Sequence, residues 1–477
     1  MASRVNALDL GPTERLSAIA LIKRLFPRVI RKAIGDDISD ELNRVSWPST
    51  AFMAAVPWLK ELEGEALELA RQYQQQALSA GYQRSETQVA RSAPVPWAVV
   101  DGPAWFATAV RNDEPGRHQA EGEASDEQRQ QRKGQICKLL KTLEQLYAKA
   151  GQQVGDESRQ PVPYYSLLLM DGDSMGRLLA ELGSPERLSH CLGRFASQVD
   201  DIVDRHDGRT VYAGGDDVLA LLPAFAAFQC ATELRSAYSS VFRDEGMASD
   251  VATISAAIVC SHYRYPLRQV LATAHHLLDD IAKDRTGRDA VAVGIVLGSG
   301  LNAVWSVPWD VYLGTAQTSD NSLCASLEEL LDKFEASESE ETSEPPFNTS
   351  FLYLLRRRFA LLLGGGHIKT GEFLRLDPSS LDSVPMAGTG DLLADLAHAE
   401  YRRRMGKSIR SEVTVDSTRP IIDKLMSLSR RWRRQVAKSG HEKEWELVCD
   451  LHTFSFDGWR VARFLKQVKD GKVPDHD

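Results

Sequence analysis

The sequence has few of the features that mark secreted, membrane-bound or metal-clustered proteins. Its six cysteines stand alone, at positions 137, 191, 230, 260, 324 and 449. Because no Cys-x-x-Cys pair occurs, neither a zinc site nor a disulfide framework is expected. No apolar run approaches the roughly 18 residues of a membrane helix, and the N-terminus lacks the pattern of a signal peptide. These absences predict a cytoplasmic protein that does not contact a membrane.

The sequence also lacks an excess of positive charge. It carries 57 Lys and Arg against 66 Asp and Glu, which gives a net charge of −9 at pH 7. A protein that binds RNA by itself usually has a basic surface. If RNA contributes to function here, we therefore expect partner subunits to bind most of that RNA.

At 477 residues the chain is long enough for about two to four domains, each with its own core. We predict a mainly helical N-terminal region over residues 1–158, with room for a small α/β part around a strand at 97–100. Strands and helices alternate over residues 159–300. Residues 301–477 are predicted to form a helical C-terminal domain.

Charged segments outside the alternating region allow more than one interpretation. Residues 112–134 and 335–346 have few apolar side chains, which predicts linkers. Arginine clusters occur at 356–358, 402–404 and 430–434. They fit solvated helix faces, and they also fit contacts with RNA or an acidic partner, because arginine pairs bidentately with phosphate.

A Gly-Gly-Asp-Asp sequence between two apolar runs is the most informative motif. Gly214 and Gly215 predict a tight turn that lets a ligand approach the backbone. Asp216 and Asp217 place two carboxylates at its tip, where they repel unless a cation lies between them. A pair of divalent cations there suits phosphoryl or nucleotidyl transfer. Taken alone, the motif also fits an ordinary acidic turn.

A second motif lies upstream, where an apolar run ends in Asp171. The run predicts a strand buried on both faces, followed by the turn Gly172–Gly176 and a short helix. Backbone N–H groups at such a turn can bind an anion. The alternative is that Asp171 only caps the helix.

The order of elements connects the two motifs. Residues 164–297 read as β-α-β-β-α-β-α-β, whose first six elements match a ferredoxin-like unit within an α+β fold. In that unit the first strand and the central hairpin are neighbours, so Asp171 should meet Asp216 and Asp217. Lys283 and Arg288, at the end of the third helix, could neutralise a triphosphate. Agreement among these pieces predicts a nucleotide and metal site.

Three motifs together resemble a cyclase- or polymerase-like palm domain. They are residues 170–176, 212–220 and 282–288, and the N-terminal stretches 14–24 and 47–54 add to the resemblance. The family they resemble is the large palm subunit of type III CRISPR effector complexes, of the Cmr kind. Recognisable motifs cover about residues 13 to 300, and only a helical tail follows.

The resemblance implies an RNA-activated synthetase that converts ATP to cyclic oligoadenylate messengers. Its implied partners are the other subunits of a type III ribonucleoprotein, with guide and target RNA held mainly through them. Its implied cofactors are two Mg²⁺ or Mn²⁺ ions and no zinc. Asp171, Asp216 and Asp217 would be the catalytic residues and metal ligands, with the carbonyl of Gly172 as a further ligand.

The resemblance also implies a set of nucleotide-binding residues. In chain order they are Gly172, Asp173, Ser174, Met175, Gly176, Gly214, Gly215, Ser255, Lys283 and Arg288. Gly214 and Gly215 would lie under the nucleotide and Lys283 would face the phosphates. Ser255, on the strand before the third helix, lies where that family lines its nucleotide pocket.

Two departures from the family pattern affect the expected activities. Members commonly begin with a histidine–aspartate nuclease domain, for which the residues before position 13 leave no room, so that domain is expected to be missing. The dipeptide His206-Asp207 reads as a turn instead. Members also often carry a zinc-binding cysteine cluster, which the isolated cysteines here do not provide.

Two alternatives to a cyclic oligoadenylate synthetase stay open. The first is another palm nucleotidyltransferase, either a diguanylate cyclase or a polymerase. Diguanylate cyclases have Glu and Phe at the positions that Asp217 and Val218 occupy here. A polymerase would be expected to have a basic fingers-like domain, and none is evident in the sequence. The second is a catalytically silent nucleotide-binding scaffold subunit.

Overall fold

The computed structural model describes most of the chain in thirteen segments. They are residues 48–82, 94–112, 126–247, 251–314, 327, 329–331, 347, 349–362, 370–375, 391–404, 415–436, 445–451 and 453–474. The chain divides into two compact units, Met1–Tyr165 with Asp207–Arg209, and Ser166–His206 with Thr210–Asp477. The stretches at 14–24 and 335–346 lie outside the described residues. The predicted domain boundaries at 158 and 300 remain predictions.

The first unit is helical, as the sequence predicts for this region. Its helices are α1 (Thr50–Glu61), α2 (Gly64–Ser79), α3 (Ala107–Arg111) and α4 (Asp126–Val154). Aromatic rings fill its core, where Trp105 lies 6.2 Å from Trp58 and 5.5 Å from Tyr73 between ring centroids. The strand predicted near residues 97–100 is wrong, because these residues form a turn and an extended stretch with a single bridge at Val100.

The second unit is built on one six-stranded sheet with the order β2-β3-β1-β4-β5-β6. The strands are β1 (Tyr164–Gly172), β2 (Arg209–Gly214), β3 (Asp217–Pro223), β4 (Ile254–His262), β5 (Ala290–Leu297) and β6 (Gly300–Pro308). Strand β1 is a neighbour of β3, as the ferredoxin-like order requires. The predicted α+β palm fold is confirmed.

Burial explains why these sequences form a sheet. The strands β1, β4 and β5 at its centre are buried almost throughout, which fits their continuous apolar runs. Strand β2 at one edge is mostly half-buried or exposed. At the other edge, β6 pairs antiparallel with β5 from Ala290 opposite Pro308 to Leu297 opposite Gly300. The sequence interpretation missed β6, because it assigned residues from 301 onward to helices.

Helices connect the strands. They are α5 (Met175–Leu182), α6 (Pro185–Arg205), α7 (Ala226–Asp244) and α8 (Leu267–His276), and a π-helical segment (Leu277–Arg285) continues α8. Helix α6 buries a stripe that includes Cys191, Phe195 and Val199, and Ser184 caps its start by accepting a bond from the Arg187 N–H. His206 and Asp207 form a turn, as predicted.

The rest of the second unit contains helices α9 (Trp309–Leu313), α10 (Thr349–Leu362), α11 (Leu392–Arg404), α12 (Val415–Ser427) and α13 (Asp457–Lys469). Short strands are present as well: β7 (Leu374–Arg375) with β10 (Thr453–Phe454), and β8 (Arg431–Val436) with β9 (Trp445–Asp450). The arginine cluster at 430–434 therefore lies mainly on a strand, not on the predicted helix. Within the described parts of the chain, no helix is both long and apolar enough to cross a bilayer.

Candidate functional site

The ends of β1 and of the β2–β3 turn meet at one place. An ideal Cβ placed on Gly172 would lie 2.8 Å from the Asp216 Oδ2 and 2.8 Å from the Tyr238 hydroxyl. The Asp216 carboxylate therefore packs on the residue that follows Asp171, as adjacent strands require. Only glycine permits this approach, because any side chain at position 172 would displace the carboxylate.

Burial and charge set the chemistry of Asp216. The residue is half-buried, and burial raises the pKa of its carboxyl, with a smaller increase from the negative charge of Asp217. Tyr238, fully buried on α7, has its pKa raised well above the ordinary value by burial first, and then by the charges of Asp216 and Asp173. Negative charge therefore concentrates around the end of β1.

Lys283 supplies positive charge to the same place. Its ammonium donates to the Asp171 Oδ2, and it lies 3.9 Å from the Asp279 carboxylate one turn earlier. Burial lowers the pKa of Lys283, and the nearby positive charge of Arg288 lowers it further. Lys283 belongs to the π-helical segment, a helix type that often occurs at functional sites.

The remaining residues of the Gly-Gly-Asp-Asp motif lie at the exposed tip. Gly215 has a positive φ of 71°, which the turn requires. The Tyr212 ring lies against Gly214, where a Cβ would collide with it. Asp217 starts β3 and is exposed. Of the three predicted carboxylates, Asp216 packs on Gly172 at the end of β1 and Asp171 pairs with Lys283, whereas Asp217 is exposed at the start of β3.

The turn after β1 leads into helix α5 through a residue with left-handed backbone. Ser174 is in the left-handed region, with φ 54°, and helix α5 starts at Met175. The Tyr238 hydroxyl donates to the Met175 sulfur at 3.7 Å. A Cβ on Gly176 would meet no atom within 4 Å, so the space beside this turn is open.

Asp173 and Ser255 lie in a buried hydrogen-bond network. The Ser255 hydroxyl donates to the Asp173 carboxylate at 2.8 Å, the Thr253 hydroxyl at 3.0 Å, and the Asp289 backbone N–H at 2.9 Å. Burial raises the pKa of Asp173 to about 6, against the opposing effect of these hydrogen bonds. The side chains of Asp173 and Ser255 therefore contact one another, and their predicted nucleotide-binding roles stay predictions.

The sequence interpretation missed the charged groups behind this network. Asp289 is almost fully buried and accepts two bonds from Arg235, at 3.0 and 2.9 Å, and one from Arg434 at 3.2 Å. Arg288 precedes it with a left-handed backbone and bonds the Ala282 carbonyl through its N–H. No local pattern could have indicated Arg434, because its partner lies 145 residues earlier.

The donor set fits a divalent cation that is shared with a substrate. Among the residues the structure describes, no group of three or more His, Cys, Asp or Glu side chains is arranged as a complete metal cage. Magnesium, however, is usually bound by one or two carboxylates together with substrate phosphates. Asp171 and Asp216 provide two such carboxylates, and the Lys283 ammonium on Asp171 shows that this position favours positive charge.

The sheet order, with two carboxylates where the first strand meets the hairpin turn, defines a palm domain of the nucleotide-cyclase kind. Residues 164–292 match the family model described as "Cas10/Cmr2, second palm domain". This part of the chain is therefore similar to the second palm domain of the Cas10/Cmr2 family, which agrees with the resemblance carried by the sequence motifs.

Individual relatives agree with this family. A curated relative, "CRISPR system Cmr subunit Cmr2" of Pyrococcus furiosus, is 29% identical over 211 residues, which cover 37% of this chain and 24% of the relative. The chain thus matches about a quarter of that relative's length.

Solved structures show more distant likeness. One is a type III-B Cmr-beta complex bound to cognate target RNA, with 13% identity, a TM-score of 0.48, and coverage of 98% of this chain and 53% of that one. Another is the guanylyl cyclase Cya2, with 16% identity, a TM-score of 0.23, and coverage of 28% of this chain and 74% of that one.

Proposed function

We propose that this chain is a nucleotidyltransferase that converts ATP to cyclic oligoadenylates as the large subunit of a type III CRISPR ribonucleoprotein. Its partners would be the other subunits, with guide and target RNA held mainly through them and with target RNA as the activator. The observation that carries the proposal is the contact of the Asp216 carboxylate with Gly172, because it joins the hairpin turn to the end of β1, the strand on which Asp171 lies.

Each of the candidate residues has a separate role in the proposed reaction. Asp171 and Asp216 would hold two Mg²⁺ or Mn²⁺ ions with the phosphates, and the Gly172 carbonyl and Asp217 would complete the set. Such ions, when bound, activate the attacking ribose hydroxyl and stabilise charge on the α-phosphate. Lys283 would move from Asp171 to the phosphates, where Arg288 and the N–H groups of the Gly172–Gly176 turn add further donors, except that of Asp173, which donates to the Thr253 carbonyl.

Two observations support this assignment of the phosphate groups. Burial lowers the pKa of Lys283, and repulsion from the positive charge of Arg288 lowers it further. A triphosphate between them would relieve that repulsion. The turn after β1 has open space beside Gly176 and ends at the start of α5, where backbone N–H groups favour anions.

The test is conversion of each labelled NTP by the assembled complex, with and without target RNA, with products identified by mass spectrometry. Cyclic oligoadenylate from ATP alone, and only with target RNA, is expected. Products from GTP would indicate a diguanylate cyclase, and templated incorporation of all four NTPs a polymerase. An intact complex that binds ATP and forms no product would indicate a silent scaffold.

A pair of double variants identifies the site. Asp216→Ala with Asp217→Ala should abolish turnover. The matched control is Asp200→Ala with Asp201→Ala, which removes two adjacent exposed carboxylates from α6. Continued turnover in the first variant would contradict the proposal.

A further inference from the structure

The segment that follows Lys283 has a strained backbone. Gly287, Arg288 and Asp289 are consecutive and all left-handed, with φ of 97°, 68° and 45°. Glycine adopts this conformation freely, whereas the two residues after it do so only where their surroundings hold them. This bend, residues 287–289, joins the π-helical segment to β5. Whatever holds the bend therefore also fixes where Lys283 and Arg288 lie.

Two groups of the palm sheet hold the bend from one side. The Asp173 carboxylate accepts the Asp289 N–H at 2.9 Å, which ties the bend to the end of β1. Arg235 of α7 binds the Asp289 carboxylate through two parallel bonds. Such bidentate pairs fix orientation as well as distance.

Strand β8 holds the bend from the other side. The Arg434 guanidinium contacts the Asp289 carboxylate, and both side chains are more than nine-tenths buried. The Arg434 N–H donates to the Thr286 carbonyl at 2.7 Å. The Arg434 carbonyl lies so close to Gly287 that any side chain there would collide with it. The strand thus covers the bend with both backbone and side chain.

We propose that Arg434 is a positioning residue of the nucleotide site. By binding Asp289 it holds the bend, and thereby keeps Lys283 and Arg288 where they meet the triphosphate. The inference rests on the proposed function, since it assumes that these two residues receive phosphates. It gives the β8–β9 hairpin a part in nucleotide recognition, although the hairpin lies outside the palm sheet.

The test compares Arg434→Met with Arg433→Met in the full-length chain. Arg433 is the exposed neighbour on the same strand, so its side chain points to the other face. Calorimetry with Mn²⁺ would measure binding of the α,β-methylene analogue of ATP and of adenosine. We expect Arg434→Met to weaken binding of the analogue by about fivefold relative to Arg433→Met and to leave adenosine unchanged. Arg434→Lys should restore part of the affinity.

The two ligands separate positioning from general damage. A loss confined to the triphosphate analogue supports the proposal, whereas equal losses for analogue and adenosine overturn it, because they would show that Arg434 only stabilises the fold. Equal affinities for the analogue in Arg434→Met and Arg433→Met would overturn it as well.

A second measurement needs no ligand. Hydrogen exchange should show faster exchange at the amides of residues 287–290 in Arg434→Met than in Arg433→Met. Unchanged exchange would overturn the proposal even where nucleotide binding is weak. Failure of the wild-type chain to bind the analogue, with the exchange difference present, would instead contradict the proposed function.

Discussion

Two carboxylates two residues apart, Asp171 and Asp173, belong to different halves of the site. The open half comprises Asp171, Asp216 and Lys283, all partly accessible, with an ion pair that can exchange partners. The buried half comprises Asp173, Ser255, Asp289, Arg235 and Arg434, whose polar atoms are bonded to one another. The two carboxylates are almost adjacent in the sequence, so their positions do not distinguish them. Their burial does, because Asp171 is partly accessible and Asp173 is buried.

The difference shows how a site can combine reactivity with rigidity. In the open half, Asp171 can give up its ion pair with Lys283 for a ligand, since the flexible lysine can move to another anion. Groups in the buried half would leave hydrogen-bond donors unsatisfied if they did so, which is costly in a dry interior. We therefore expect the open half to control chemistry and the buried half to control geometry and stability.

The largest expected difference is in stability, between Asp173→Ala and Asp171→Ala. Removing the Asp173 carboxylate leaves the Ser255 and Thr253 hydroxyls and the Asp289 N–H without their acceptor. We expect a loss of about 3 kcal/mol in the free energy of unfolding, against less than about 1 kcal/mol for Asp171→Ala. Urea denaturation of both variants would measure this, and similar losses would remove the distinction between the halves.

Gly172→Ala should damage the open half with little effect on the buried half. Its Cβ would lie 2.8 Å from Asp216 and from the Tyr238 hydroxyl, so the carboxylate must move. A displacement of about 1 Å at a reacting centre can cost about 100-fold in rate, which is the fall we expect in ATP turnover by the assembled complex. Gly193→Ala on α6 is the control, because Gly193 is exposed and its Cβ would meet nothing within 4 Å. Equal turnover in the two variants would contradict this geometry.

Lys283→Met should change the ligand preference of the open half. Without the ammonium, Asp171 is free for cations, so Mn²⁺ binding to the nucleotide-free protein should tighten. ATP should bind about tenfold more weakly, because the phosphates lose a charged donor. Electron paramagnetic resonance of Mn²⁺ and calorimetry with ATP would follow the two effects. A decrease in both affinities would show that Lys283 supports the metal site instead of competing with it.

The smallest expected effect concerns a buried titratable group outside the candidate site. His398 on α11 is buried against the Thr418 hydroxyl at 2.8 Å, and burial, followed by the charges of Arg419 and Arg402, lowers its pKa. The folded state therefore prefers neutral imidazole, so stability is full above pH 6.5 and declines as the pH falls below it.

His398→Gln should reduce this decline between about pH 7.5 and 5.5 by less than about 1 kcal/mol, as measured by urea denaturation. Exposed His190 supplies the control variant His190→Gln. If stability declines with pH equally in His398→Gln and in the wild-type chain, the pH dependence arises from other groups.

The sequence was sufficient for the elements whose signals are local. Apolar runs placed β1, β4 and β5, and turn chemistry placed the β2–β3 tip, so the α+β fold and the approach of the hairpin turn to the end of β1 followed from element order. Strand β6 was missed because its residues were assigned to a helical tail. Strand β8 was missed because Arg431–Arg434 read as a solvated helix face, although Arg434 is buried on Asp289.

The buried half could not be predicted for a different reason. The resemblance implied that Asp173 binds the nucleotide, and only the fold shows that Ser255 and Asp289 donate to its oxygens. The roles of Arg235 and Arg434 depend on contacts that no local pattern records. The nucleotide and the metal ions were inferred from the resemblance to the palm family. The residues that would bind them in this chain remain predictions.

The contact between Asp289 and Arg434 has a consequence for how the protein is made. The two residues are separated by 145 positions, so a ribosome must translate that whole interval before the bond can form. The palm strands can collapse earlier, since their pairings are closer in sequence. A nascent chain would therefore hold an assembled sheet with an unsecured bend, and would gain its final site geometry only late in translation.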